Sequence, residues 1–142
     1  MTKKLLLSFV LIGFVFVVGC SNKQQLTGTV TFSDDGSPVP LGAVFFTTPT
    51  FEAMGTIKPD GTYTVSSTGE NDGIPKGQTY VVTIVGADDV KVTQGNDGRV
   101  VSSSRTPFIN SKYTRKETSD LTFTSDGKTK RFDIQVERAP VK

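Results

Sequence analysis

From residue 26 onward, apolar and polar residues alternate in short runs broken by glycine, proline and aspartate, and no run repeats with helical period. Leu26, Gly28, Val30 and Phe32 fall on one side of a period-two pattern, with Thr27, Thr29 and Thr31 on the other. That is the pattern of a strand with one buried and one wet face. After the turn chemistry of Asp34-Asp35-Gly36-Ser37-Pro38, a second run over residues 41–47 carries Val44-Phe45-Phe46 in succession, which predicts a central strand contacted on both faces. Residues 52–57 supply a third strand. Pro59-Asp60-Gly61 turns the chain into a fourth over 62–67, with Tyr63 and Val65 inward. A polar loop over 69–73 then leads to the strongest strand signal in the chain, Thr79-Tyr80-Val81-Val82-Thr83-Ile84-Val85.

Residues 87–106 follow as a long, mostly irregular stretch, in which Val90-Lys91-Val92-Thr93 and Arg99-Val100-Val101 supply a small hairpin around Gly95-Asn96-Asp97-Gly98. The last two runs, 120–124 and 130–137, flank Ser125-Asp126-Gly127 and read as a closing hairpin, since Asp-Gly provides the positive φ angles that tight reversals need. Asp-Gly occurs five times, at residues 35, 60, 72, 97 and 126, so turns are expected at nearly every junction. The fold class expected is all-β: a seven-stranded antiparallel sandwich over residues 26–138, with a tail at 139–142.

The first nineteen residues obey a different pattern. Lys3 and Lys4 precede fourteen residues, Leu5 to Val18, that are apolar apart from Ser8 and Gly13. A helix of that length spans about 21 Å, short of the roughly 30 Å hydrocarbon core, so the segment reads as a secretory signal peptide and not as a permanent membrane span. Val17-Val18-Gly19-Cys20 resembles a bacterial lipobox. The resemblance implies cleavage between Gly19 and Cys20, lipid on the Cys20 thiol and an acylated new amino terminus. The two valines depart mildly from the usual Leu and Ala or Ser. Residues 20–25 would then form a lipidated tether, and Ser21 implies an outer-membrane destination in a double-membrane bacterium. Each buried acyl methylene contributes about 0.8 kcal/mol, so several chains hold a small domain essentially irreversibly on one leaflet.

Composition changes once that leader is set aside. The whole chain of 142 residues is 35% hydrophobic with a net charge of +2, but residues 20–142 are 30% hydrophobic and their Lys+Arg and Asp+Glu balance. Thr and Ser supply 30 of those 123 residues and Val 13, a composition of wetted sheets. Such a charge gives no electrostatic case for nucleic acid. His is absent and Cys occurs once, which excludes Ser-His-Asp and Cys-His nucleophile pairs, imidazole zinc sites, internal disulfides and CxxC redox chemistry.

Across most of the remaining chain the residues resemble a known fold family. Leu26-Thr27-Gly28-Thr29-Val30-Thr31 and Pro38-Val39-Pro40-Leu41-Gly42-Ala43-Val44-Phe45-Phe46 are similar to the opening of carboxypeptidase regulatory-like and transthyretin-like domains. Asp60-Gly61-Thr62-Tyr63 and Gly77-Gln78-Thr79-Tyr80-Val81-Val82 are similar to the family's next landmarks. The order Pro107, Lys112-Tyr113, Thr118-Ser119-Asp120-Leu121 matches short lipoproteins of planctomycete type. The resemblance implies an Ig-like or prealbumin-like sandwich. Its motifs are structural glycines, prolines and core tyrosines, so it specifies shape and hardly any activity. The His and Arg constellation of transthyretin-like ureide hydrolases is missing, and with it any ground for carrying over their chemistry.

Candidate sites are thin. Glu70, Asp72, Asp88, Asp89 and Asp97 offer hard oxygen ligands for calcium, but their spacing matches no calcium loop and turn chemistry accounts for them. Ser102-Ser103-Ser104 with Lys112 could be named a Ser-Lys pair, although a serine run in a loop is ordinarily solvated. Phe51, Phe108 and Tyr113 are the aromatics nearest loops, a sparse platform for a glycan in a chain without Trp. Lys128, Lys130, Arg131, Arg138 and Lys142 make the C-terminal end basic. No catalytic, cofactor-binding or metal-ligating residue is expected. The expectation is a non-enzymatic, lipid-anchored module of the cell envelope that meets a partner through residues 87–106. The alternative is a solute-binding lipoprotein that recognises a glycan or cation through its loops.

Overall fold

The computed structural model describes residues 22–68 and 72–141; Cys20, the Gly19–Cys20 junction and the apolar leader lie outside the described residues. The described chain is all-β, with one four-residue 3-10 helix, Ser111–Thr114. No helix among the described residues is long and apolar enough to cross a membrane.

Eleven strands are formed among the described residues, not seven: β1 (Lys23–Gln24), β2 (Thr27–Phe32), β3 (Ala43–Thr48), β4 (Phe51–Thr56), β5 (Thr62–Thr64), β6 (Ile74–Pro75), β7 (Thr79–Val85), β8 (Asp88–Gln94), β9 (Val100–Pro107), β10 (Thr122–Thr124) and β11 (Ile134–Val136). They build a four-stranded sheet in the order β10-β7-β3-β4 and a three-stranded sheet in the order β11-β2-β5. Two two-stranded pieces, β1-β6 and β8-β9, complete the set. All pairings between these strands are antiparallel except one. β11 runs parallel to β2, with Ile134 opposite Val30 and Val136 opposite Phe32.

The alternation along β2 is realised as expected: Gly28, Val30 and Phe32 are buried, and the threonines face outward. β3 is central, flanked by β4 and β7, and its Phe46 is fully buried. Phe46 is the hub of the core. Its ring lies 6.0 to 6.4 Å from those of Tyr63, Tyr80, Phe123 and Phe132, mostly edge to face. Because Tyr63 belongs to the three-stranded sheet and Tyr80 and Phe123 to the four-stranded one, these contacts join the two inner faces. Val30, Val44, Val82, Ile84 and Val136 fill the remaining layer, each fully buried and each worth about 1.5–3 kcal/mol of transfer free energy.

Three expectations are corrected. The final pair of runs is no hairpin: β10 joins β7 in one sheet while β11 joins β2 in the other. The Asp126-Gly127 turn is present, but the Gln24 side chain accepts the Gly127 N–H at 2.8 Å and donates to the Thr129 carbonyl, holding the loop out between the sheets. Of residues 20–25, expected as a tether, Lys23 and Gln24 instead form β1 against β6, and Gln24 is buried. Residues 87–106, expected to be largely irregular, form the longest strand pair of the molecule.

Candidate functional site

The chain leaves the four-stranded sheet at the end of β7. Gly86, with φ of 72°, turns it, and the buried Ala87 is tied down by its carbonyl, which accepts the Phe108 N–H at 2.9 Å. Between these two residues β8 and β9 project as a ribbon of about 24 Å. Its tip is closed by the Gly95 N–H donating to the Arg99 carbonyl at 2.8 Å and by the Asp97 carboxylate accepting the Arg99 N–H at 3.1 Å.

The register decides what the ribbon presents. Val90 stands opposite Arg105 and Val92 opposite Ser103, so these four share one face; Asp89, Lys91 and Thr93 share the other with Thr106, Ser104 and Ser102. Val92 is 51% exposed and Val101 65%. Neither strand pairs with any third strand among the described residues, so the ribbon has a bare valine face and two open hydrogen-bonding edges. An irregularity between Thr93 and Gln94 disturbs the ladder near the tip. At the root, Asp88 pairs with Arg105 at 3.6 Å. Arg105, Pro107 and Phe108 line a depression of about 600 Å³ with Arg138, Pro140 and Val141. Arg138 is fixed there by Asp34 at 2.8 Å and Asp35 at 2.7 Å, and lies 3.7 Å above the Phe32 ring. Hydrogen bonds from Ser37, helped by Arg138, hold the Asp35 carboxyl down at about 2.

The opposite end of the molecule carries the chain's entry. The Asn22 carbonyl accepts the Lys76 N–H at 3.1 Å, and β1 and β6 sit beside the start of β7, where the Tyr80 hydroxyl donates to the Pro75 carbonyl at 2.9 Å. Lys23, Gln24, Gln25, Asp72, Lys76 and Lys130 line a hollow of about 420 Å³. Asp72 accepts from Lys23, from the Ser67 N–H and hydroxyl at 2.8 Å each, and from the Thr68 hydroxyl at 2.9 Å; the Lys23 contact above all holds its carboxyl far below the usual range. Asp126 caps its own loop through the N–H groups of Thr129 and Lys128, which hold its carboxyl down at about 2.

The structure disperses the residues singled out in the sequence. Asp72 lies at the entry end, Asp88 and Asp89 at the ribbon root and Asp97 at its tip, and no group of three His, Cys, Asp or Glu is gathered to hold a metal among the described residues. Glu70 and Lys142 are outside the described residues. Ser102, Ser103 and Ser104 are on β9, while the Lys112 ammonium is bound by Glu137 at 2.9 Å and Asp120 at 3.3 Å, so they form no Ser-Lys pair. Tyr113 is buried and its hydroxyl accepts the Glu137 N–H at 3.3 Å; Phe51 and Phe108 are half-buried against the core. These rings pin segments down and offer no flat platform. Arg131 pairs with Asp133 at 2.8 Å. The grouping of Lys23 and Lys76 with Lys130 has no signal in local sequence, since it exists only once β1, β6 and the 125–130 loop meet.

No family model matches the chain, and no curated protein matches it. Among solved structures, a 9R-lipoxygenase from Cyanothece PCC8801 is similar over 80% of this chain and 16% of that chain, at 15% identity and a TM-score of 0.36. The chain thus spans a small part of that enzyme's length.

Proposed function

We propose that the protein is a non-enzymatic, lipid-anchored module of the bacterial cell envelope, attached through Cys20 after cleavage behind Gly19, with a β-sandwich body of the carboxypeptidase regulatory-like and transthyretin-like kind. The observation that carries this reading is the separation of two ends. The first described residues lie at the start of β7, and the β8-β9 ribbon leaves from its far end, seven residues or about 23 Å away. A chain anchored at Cys20 therefore holds the ribbon out from the leaflet, with its valine face and open edges available to an envelope protein. Open strand edges accept a further strand, which is a common way for such a ribbon to make a partner contact. The glycan and cation alternative draws no comparable support, because the aromatics it would use are packed into the body.

Fractionation tests the anchor. In the native host, wild-type protein is expected in the detergent phase of membranes, and Cys20→Ser in soluble or unprocessed material. A mutant that fractionates like wild type would show the anchor to be elsewhere. Crosslinking from Asn96→Cys in intact cells, compared with a chain in which residues 90–105 are replaced by a short turn, tests the ribbon as the partner surface.

A further inference from the structure

We infer that Asp97-Gly98, at the tip of the β8-β9 ribbon, is a site of spontaneous covalent modification, where aspartate converts to isoaspartate through a cyclic imide. The chain carries five Asp-Gly dipeptides of like intrinsic reactivity, since glycine puts no side chain in the way of its own nitrogen. The fold restrains four of them and leaves this one able to react.

The reaction needs only water. The Gly98 nitrogen attacks Cγ of Asp97, and its proton leaves with the hydroxyl of the protonated carboxyl as water, closing a five-membered ring. Water then adds back at either ring carbonyl. Breaking the bond from the nitrogen to Cγ restores aspartate. Breaking its bond to the former main-chain carbonyl carbon leaves the chain running through Cγ, as isoaspartate. No electrons are transferred and the net composition is unchanged. For the nitrogen to reach Cγ, the Gly98 N–H must leave the Gly95 carbonyl, which accepts it at 2.9 Å, and the Asp97 carboxylate must leave the Arg99 N–H at 3.1 Å and the Arg99 guanidinium at 3.8 Å.

Those restraints lie inside the ribbon turn. Asp97 and Gly98 are both exposed, and β8 and β9 pair with no third strand among the described residues. The tip can therefore open at a local free-energy cost, without disturbing the core. The other four dipeptides are tied to the body. Asp35 accepts from the Ser37 N–H at 2.9 Å, the Ser37 hydroxyl at 2.6 Å and Arg138 at 2.7 Å, while the Phe32 carbonyl holds the Gly36 N–H at 3.0 Å. Gly61 is buried, its carbonyl accepts the Val30 N–H at 2.9 Å, and Asp60 accepts from both the N–H and the hydroxyl of Thr62. Asp72 is bound by Lys23, Ser67 and Thr68, and Gly73 is buried against the Gln24 carbonyl. Asp126 accepts the N–H groups of Lys128 and Thr129, and the Gln24 side chain holds the Gly127 N–H at 2.8 Å. Reactive geometry at these four requires part of the body to come apart.

The test uses the protein as purified from its host, aged for several weeks at neutral pH. Protease digestion with electron-transfer fragmentation then distinguishes the two isomers at each position. Isoaspartate is expected at residue 97 at about ten times its level at residues 35, 60, 72 and 126. In denaturant, where the restraints of the fold are gone, the five positions should react at similar rates. Gly98→Ala, with nothing within 4 Å of the added carbon, is expected to lower the product at residue 97 roughly tenfold by crowding the attacking nitrogen. The longer backbone link of isoaspartate should also undo the closure between Gly95 and Arg99, so the modified fraction is expected to lose hydrogen-exchange protection in β8 and β9 and to keep it in β3. Isoaspartate at residue 97 no higher than at residue 60 in the folded protein overturns the inference. So does a denatured chain with the same tenfold preference, which would trace the bias to local sequence and not to the fold.

Discussion

At the scale of single residues, the tightest constraint is Gly28. A Cβ placed there would come within 1.9 Å of the Phe132 carbonyl oxygen and 2.8 Å of the Tyr63 hydroxyl, which itself donates to that carbonyl at 2.5 Å. The obstacle is backbone and cannot rotate away. Burial and the Asp133 charge push the Tyr63 phenol up, so it remains a donor throughout the range in which the protein would be handled. Gly28→Ala is expected to destabilise the fold by about 3 kcal/mol or more in denaturant unfolding. Gly36→Ala is the control: its φ is +71°, but nothing lies within 4 Å of the added carbon, so the cost should stay near the 1 kcal/mol of a left-handed backbone. Comparable losses at the two sites would mean that β2 can shift away from Phe132.

At the scale of elements, the body and the ribbon differ in kind. β3 and β7 are buried on their inner side, whereas β8 and β9 are exposed along almost their whole length. Val92→Ser with Val101→Ser should therefore change the unfolding free energy by less than about 0.5 kcal/mol per site, while Ile84→Ala should cost about 2–5 kcal/mol. Ribbon amides should exchange with deuterium well before those of β3. A large stability loss in the valine variants would show that the ribbon is part of the core.

Much of the body was legible in the sequence because period-two alternation there is strong. Residues 27–32, 43–48, 51–56 and 79–85 are strands close to where the alternation put them, and all five Asp-Gly glycines take positive φ. What was not legible depends on long-range contacts. Asp126-Gly127 signals a reversal, but the flanking strands part company because β10 pairs with β7 and β11 with β2, and Gln24, about a hundred positions away, binds the loop between them. The Ser102 to Ser104 run has no apolar alternation because that part of β9 buries nothing, so period-two reasoning shortens the ribbon. Lys23–Gln24 and Ile74–Pro75 are too short to carry a period at all. The lysine end was invisible for the same reason.

At the scale of the whole molecule, the carboxylates set the acid limit. Asp35, Asp60, Asp72, Asp126 and Asp133 are all held below the ordinary carboxylate value by hydrogen bonds, chiefly from Ser37, Thr62, Lys23, Thr129 and Arg131 respectively. Their folded-state values lie under their unfolded ones, so the stabilisation they contribute is complete above about pH 5 and is lost as pH falls through 4 towards 2. Lys112 is shifted upward, chiefly by Glu137, and its contribution fades only as pH rises beyond 10. With no His in the chain, no ordinary imidazole titration intervenes. The thermal midpoint followed by circular dichroism should thus be flat between about pH 5 and 9 and fall steeply below 4. A step near pH 6 to 7 would contradict this assignment.

The parallel pairing of β11 with β2 also orders events in time. Val30 and Phe32 leave the ribosome more than a hundred residues before Ile134 and Val136, which must lie beside them. Until those last residues exist, the three-stranded sheet lacks an edge and the Phe46 hub lacks Phe132. Such distant contacts make folding slow and leave growing chains without a closed core. Closure of the three-stranded sheet and of the ring cluster around Phe46 therefore waits until residues 132–136 have emerged.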